Sequence, residues 1–155
     1  MKFGRTGNLN TDINIRGGQE TAFKFYRPQG FDDIDIPSHL GGIDFNKSVD
    51  VVKLNRSKQL YQYQTRGAPQ GNYYSLNRET LPTQLGISPN GFNRSLKTVE
   101  PKVQIPYRTN QKVDALKSTA RGVKDTWSVP GKNYPTTGGA RQLFSGKKDA
   151  FDPDE

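Results

Sequence analysis

The chain has 155 residues, of which 31% are hydrophobic, a mean hydropathy of −0.87 and a net charge of +8. That length fits one domain with a lean core, and a 25% share of charged residues is ordinary for a folded protein, which argues against wholesale disorder. With no cysteine and one histidine, the sequence excludes disulfides, thiolate catalysis, zinc–cysteine sites and any two-histidine metal or nuclease site.

Residues 1 to about 20 are polar and glycine-containing, with neither a helical nor a strand period. They read as a flexible linker or lead-in, as expected at the head of a C-terminal piece of a larger protein. The opening Met1-Lys2-Phe3-Gly4-Arg5 lacks an apolar signal core, and no apolar run approaches the roughly 18 residues of a membrane span. Phe23 to Tyr26 reads as a short aromatic strand. Residues 28–46 mix turns with spaced Ile, Leu and Phe, predicting a turn and one short helix near Ser38, stopped by Gly41-Gly42. Val49 to Leu54 and Gln59 to Gln64 read as a strand pair joined by the polar turn Asn55 to Lys58. In the second strand Leu60, Gln62 and Gln64 share one face, and Tyr61 and Tyr63 the other.

Residues 65–71 form a turn, and Asn72 to Ser75 another short strand. Residues 77–95 carry Pro82, Gly86, Pro89 and Gly91 and read as loop. Val103 to Ile105, Val113 to Leu116 and Val123 to Val129 are further strands. Pro130 to Ala140 is a long Gly/Pro loop, Arg141 to Phe144 closes with a strand, and residues 147–155 read as a loose acidic tail. The expectation is one folded domain over residues 21–146, α+β and β-rich, made of many short strands with few short helices. Long loops on such a scaffold are where binding sites sit.

Two stretches hold candidate chemistry. In Gln62 to Tyr73 a strand delivers polar side chains and then turns through Gly67 and Gly71 beside Arg66. Glycines let backbone amides approach a diphosphate, and arginine grips phosphate bidentately. The same pattern fits a plain hairpin turn with a surface arginine. In Asp125 to Gln142 a carboxylate precedes Trp127, the one tryptophan, by two residues, which places both on one face of a strand. Tyr134 and the Gly138-Gly139-Ala140-Arg141-Gln142 run follow. Trp127 suits stacking on a flat base such as nicotinamide, or serves equally as a core tryptophan beside a solvated aspartate. His39, with Asp35 and Asp44 nearby, suits a general base or a structural role. The tyrosine pairs Tyr61/Tyr63 and Tyr73/Tyr74 suit stacking on single-stranded nucleic acid or half-burial in a sheet. A basic surface attracts nucleic acid, anionic membrane, an acidic protein or a phosphorylated small molecule, and its dispersed charge disfavours a polybasic arm.

Several segments together resemble a family. Tyr26 to Phe31, IPSHLGGIDF from Ile36 to Phe45, Gln62-Tyr63-Gln64 with GAPQGNYY from Gly67 to Tyr74, and Leu85-Gly86-Ile87 look like C-terminal toxin domains of bacterial polymorphic toxins. Among these are the type VI-secreted NAD(P)+ glycohydrolase effectors. The close Gly138 to Phe144 resembles, more distantly, the tuberculosis necrotizing toxin, another NAD+ glycohydrolase. The histidine of that toxin has no counterpart here, since His39 lies far too early, and no arginine stands near Gln84-Leu85 where its second one falls.

The resemblance implies a compact fold related to ADP-ribosyltransferases, with short strands in a split or strongly twisted sheet. It implies hydrolysis of NAD+ and perhaps NADP+, the dinucleotide being the substrate and no cofactor being needed. Gln62 and Asp125 match the glutamine and later aspartate of the type VI effectors, and Gln142 matches the essential glutamine of the necrotizing toxin. The substrate-binding set that follows is Arg66, Gly67, Gly71, Tyr73, Trp127, Gly138, Gly139 and Arg141. An acidic, cleft-blocking immunity protein and delivery into a target cell's cytoplasm are implied with it. The alternatives are an ADP-ribosyltransferase, for which no Glu-x-Glu is present, and a basic ribonuclease.

Overall fold

A computed structural model describes residues 9–29 and 36–154. The first eight residues of the expected lead-in, the turn around Gly30 and Phe31 with Asp35, and the terminal Glu155 lie outside the described residues. Helix α1 (Leu9–Tyr26) runs through the rest of the segment that reads as a lead-in. Among its described side chains, Ile15, Ala22, Phe25 and Tyr26 face inward, with Gly18 between them. These follow the three-to-four residue helical spacing, but too sparsely to show in a polar stretch. Gly17 and Gly18 each weaken an isolated helix by about 1 kcal/mol, so packing forms α1, not propensity. A Cβ at Gly18 would stand 3.3 Å from Phe45 and 3.4 Å from Val49, so the glycine lets the helix lie close against that segment. Phe23 to Tyr26, expected as a strand, is the helix's last turn. Aromatic content favours strands only where a pleated neighbour exists, and here the rings pack onto the sheet instead. Helix α2 (Ile36–Leu40) is the short helix expected near Ser38, and Gly41 and Gly42 end it.

The strands are β1 (Asp50–Leu54), β2 (Gln59–Gln64), β3 (Tyr73–Ser75), β4 (Asn90–Asn93), β5 (Thr98–Pro101), β6 (Val103–Thr109), β7 (Val113–Arg121), β8 (Lys124–Asp125), β9 (Tyr134–Pro135), β10 (Gly138–Phe144) and β11 (Phe151–Pro153). Seven form one sheet in the order β1-β7-β10-β3-β2-β6-β11, while β4-β5 and β8-β9 are separate two-stranded ribbons. The architecture is the expected β-rich α+β one, although α1 is longer than the short helices foreseen.

The expected pairing of β1 with β2 does not form. β1 pairs with β7, and β2 lies between β3 and β6. Alternating hydrophobicity marks a strand without naming its partner. β2 and β3 meet at one register position, Tyr61↔Ser75, so the sheet parts just beyond it. That parting makes room for the cleft described below.

Each face of the sheet carries a core. On one, Ala22, Phe25 and Tyr26 of α1 and Ile36 and Leu40 of α2 pack on Leu116 and Phe144. On the other, Leu60, Tyr74, Tyr107, Val113 and Leu143 pack on Ala150 and Phe151. The segment expected to be a loose acidic tail therefore contributes a strand and two core residues, Ala150 and Phe151. β11 pairs with β6, and the Phe151 ring stacks on Tyr74 at 4.3 Å. Its acids lie on the outside, Asp154 meeting Arg108 at 2.9 Å.

The stretch Val123 to Val129, expected as one strand, extends only through β8. Asp125 turns the chain there, for reasons that also shape the site.

Candidate active site

A cleft of about 760 Å³ opens where β2 and β3 part. β2 supplies Gln62, β10 Gln142, α2 His39, and the loop after β8 supplies Trp127 and Ser128. Lys102 and Arg121 also line it, and no carboxylate does so among the described residues. Such a cleft favours an anionic ligand.

Gln62 stands at the parting of the sheet with 5% exposure. Its Oε1 accepts from the Gly71 N–H at 2.8 Å and from Gln64 Nε2 at 2.8 Å, and its Nε2 donates to the Tyr73 carbonyl at 2.7 Å. The Gly71 N–H fixes which end of the amide is oxygen. A primary amide offers two N–H groups and two lone pairs, so one N–H remains beyond these three bonds. The turn between β2 and β3 thus folds around the Gln62 side chain. A Cβ on Gly71 would come within 3.6 Å of the amide. Gln142, 6% exposed, donates from Nε2 to Ser118 Oγ at 3.2 Å and keeps an N–H and its oxygen.

Tyr73 belongs to an aromatic stack. Its hydroxyl lies 2.7 Å from His39 Nδ1 and 2.9 Å from the Tyr26 hydroxyl, and the His39 ring stacks 5.2 Å from Tyr26. Burial pushes the Tyr26 phenol up to about 12, against a hydrogen bond with Tyr73 that lowers it. Burial, and then Tyr26, raise Tyr73 well above the ordinary phenol value. Both stay neutral at physiological pH, so the stack offers hydroxyls and an imidazole without charge on its phenols.

Asp125 does not line the cleft. Its residue is 1% exposed, and its carboxylate holds together three segments. Oδ2 accepts from the Ser88 N–H at 2.7 Å and from the Ser128 hydroxyl, while Oδ1 accepts from the Trp127 N–H at 3.0 Å and the Ser128 N–H at 2.8 Å. These last two bonds make the turn that ends β8. Burial raises the carboxyl's pKa, but the Ser128 hydroxyl and the backbone donors outweigh it and hold the group below the ordinary carboxylate value. Lys102 Nζ lies 3.9 Å from Oδ2, with only 9% of its side chain exposed, and donates to Ser128 Oγ at 2.7 Å. Burial lowers the Lys102 pKa, with Asp125 opposing.

The remaining candidates divide. Gly71, Tyr73 and Trp127 line the cleft together with Gln62 and Gln142, Trp127 standing 61% exposed at its edge. It is not on a common strand face with buried Asp125, because the chain turns between them. Arg66, Gly67, Gly138, Gly139 and Arg141 are not among the lining residues. Arg66 forms a bidentate pair with Glu100 of β5, Nε to Oε1 at 3.0 Å and Nη2 to Oε2 at 2.9 Å. It anchors the β4–β5 ribbon to the loop. Arg141 donates to the Ser48 carbonyl at 2.8 Å and to Thr119 Oγ1 at 2.9 Å. Gly138 sits at the register shift in the antiparallel pairing of β7 and β10, a Cβ there falling 2.3 Å from the Gly122 nitrogen.

Ser128, Lys102 and Arg121 line the cleft and had no role assigned from sequence. Ser128 stands three residues after Asp125, the spacing of an aspartate-led turn, and that local signal was available. Lys102 follows Pro101 at the head of β6, with no local signal at all.

The fold and cleft define a β-rich domain whose cleft sets the cations of Lys102 and Arg121 beside the buried carboxamides of Gln62 and Gln142. The chain belongs to the Bacterial toxin 46 family (Ntox46), which it matches over residues 1–151. It is 53% identical over 150 residues to the NAD(P)(+) glycohydrolase toxin Tse6 of Pseudomonas aeruginosa, covering 97% of this chain. It spans about a third (35%) of that relative's length. The solved structure of Tse6 in complex with Tsi6 superposes with a TM-score of 0.81 at 47% identity, covering 92% of this chain and 98% of that one. The C-terminal domain of Rhs1, in complex with its cognate immunity protein RhsI1, gives a TM-score of 0.49 at 16% identity over 70% of this chain and 79% of that one, too remote to argue from. The resemblance to NAD(P)+ glycohydrolase toxins is borne out. Among the described residues no helix is long and apolar enough to cross a membrane.

Proposed function

We propose that this chain hydrolyses NAD+, and NADP+ with it, to nicotinamide and ADP-ribose, and so depletes the dinucleotide pool of a target cell. The observation that carries this is the 53% identity, along almost the whole chain, to a protein named for that activity. The cleft supports it. Its volume suits a dinucleotide, and its Lys102 and Arg121 favour phosphates. Cleavage passes through an oxocarbenium-like ribose, and nicotinamide leaves as a neutral base, so no strong general acid is required. The protein's part is to bend, orient and desolvate the dinucleotide. The spare N–H of Gln62 and the free amide groups of Gln142 serve to hold a ribose hydroxyl or the carboxamide, and Trp127 walls the nicotinamide. Asp125 supplies negative charge from behind the cleft wall. Water is the co-reactant, and no cofactor is called on.

The test is release of nicotinamide from NAD+ by the purified 155-residue chain with no protein acceptor added. Rapid release is expected. Release only when an acceptor is present makes the protein a transferase, and degraded RNA with intact NAD+ makes it a nuclease.

The same relationship supports a partner. With +8 on the toxin, an acidic immunity protein that plugs the cleft is expected, because complementary charge speeds association. Delivery into a target cell's cytoplasm as the C-terminal part of a larger effector is the setting this implies. An inhibitor that bound away from the cleft and left hydrolysis intact would overturn the cleft-blocking mode.

A further inference from the structure

Asp125 never reaches the cleft, yet Ser128 and Lys102, which contact it, both line the cleft. A serine hydroxyl has one proton and two lone pairs. The Ser128 proton goes to Asp125 Oδ2, and one lone pair takes the Lys102 ammonium at 2.7 Å. The second lone pair is left over, on a residue that lines the cleft. Lys102 stands 3.9 Å from the carboxylate, beyond hydrogen-bond reach, so its ammonium meets the acid through the hydroxyl. The backbone fixes both ends of the chain of bonds. The Ser128 N–H is held by Asp125 Oδ1, and the Lys102 N–H donates to the Pro89 carbonyl at 2.8 Å. Asp125, with both oxygens already taken by protein donors, has no direct path to a substrate.

We propose that Ser128 is the catalytic hydroxyl of this cleft, relaying the proton of the attacking water to Asp125, with Lys102 as the positioning residue that sets the hydroxyl's rotor. The inference rests on the glycohydrolase reading above. In the step, the ribose C1′–N bond breaks and its electron pair leaves with nicotinamide. The water oxygen bonds C1′, a water proton moves to Ser128 Oγ, and the serine's own proton moves to Asp125 Oδ2. The carboxyl later returns that proton through Ser128 to solvent. Water adding to an oxocarbenium ion becomes strongly acidic, so a carboxylate of low basicity is adequate as the terminal base.

The test measures kcat and KM for nicotinamide release in wild type, Ser128→Ala, Ser128→Cys, Asp125→Asn and the Ser128→Ala/Asp125→Asn double variant. Thermal unfolding of each checks folding. Ser128→Ala is expected to lower kcat about a hundredfold with little change in KM, as loss of general base catalysis does. Ser128→Cys, which keeps a side chain of similar shape but only a weak acceptor, is expected to fall similarly. The double variant is expected to be no worse than the poorer single one, because residues acting as a unit are non-additive. Lys102→Met is expected to lower kcat and to shift the acid limb of the kcat–pH profile, which a purely structural lysine would leave in place. Ser128→Ala or Ser128→Cys at near wild-type kcat, with Asp125→Asn inactive, overturns the relay alone. Multiplicative losses in the double variant overturn it as well. A wild type that releases no nicotinamide from NAD+ or NADP+ overturns the glycohydrolase reading, and the water-activating role with it.

Discussion

Two turns line the cleft, and one buried polar side chain holds each, but the two anchors differ in kind. Gln62 holds the turn between β2 and β3 with a neutral amide, and all its partners lie between residues 62 and 73. Asp125 holds the turn after β8 with a charge, and its hydrogen-bond partners are the Ser88 N–H, the Trp127 and Ser128 N–H groups and the Ser128 hydroxyl, with the Lys102 ammonium 3.9 Å away. The first is a local device that shapes one loop. The second joins segments distant in the chain and leaves a buried lysine dependent on it. A neutral local anchor can be lost at the cost of a loop. A charged distant anchor takes part of the fold with it.

The largest expected effect tests that asymmetry. Asp125→Ala strands Lys102 in a buried position, and removing one partner of such a pair costs about 3–5 kcal/mol. Denaturant unfolding measures it, and adding Lys102→Met should return part of the loss. A cost no greater than that of Gln62→Ala would erase the distinction. Gln62→Ala leaves the Gly71 N–H and the Tyr73 carbonyl without their partner, for about 1–3 kcal/mol, and is expected to lower nicotinamide release more than it lowers stability.

Acid gives the next contrast. Asp125's folded pKa lies below its unfolded value, so its contribution is complete above the unfolded pKa and is lost as pH falls through the folded one. Wild type should lose stability across that acid window, and Asp125→Asn should lack that part of the slope, whereas Gln62→Ala should keep it. The smallest effect belongs to Arg66→Ala. That side chain is exposed and paired with Glu100 outside the cleft, so kcat/KM should change by less than about threefold, as for other surface pairs. A large rise in KM would return Arg66 to the phosphate site.

β2 was legible in the sequence from its alternation, as was the short helix at Ser38, whereas β7 was legible only over Val113 to Leu116 and runs on to Arg121. α1 was not, because two glycines and a polar surface hide the inward residues Ile15, Ala22, Phe25 and Tyr26, and only packing reveals them. The tail misled in the same way. Its acids dominate the composition, while Ala150 and Phe151 decide its place. Strand partners were out of reach, since alternation marks faces and not neighbours. For the site, Gln62, Tyr73, Trp127 and Gln142 do converge on one cleft. Arg66 does not, because a glutamate on a later strand claims it, and nothing near Arg66 in sequence announces Glu100. Ser128 and Lys102 meet only through the folded sheet.

The strand order carries a consequence for timing. β1 waits for β7, β3 for β10, and β2 for β6, and the hairpin of β2 with β3 meets at a single register position, so distant pairings build most of the central sheet. Long segments must close before their contacts form, which slows folding and pushes it toward an all-or-none transition. The cleft draws Gln62, Ser128 and Gln142 from strands and loops far apart in the chain, so it needs those distant closures. A half-made chain therefore has no working pocket, and its latency ends at the moment the sheet closes.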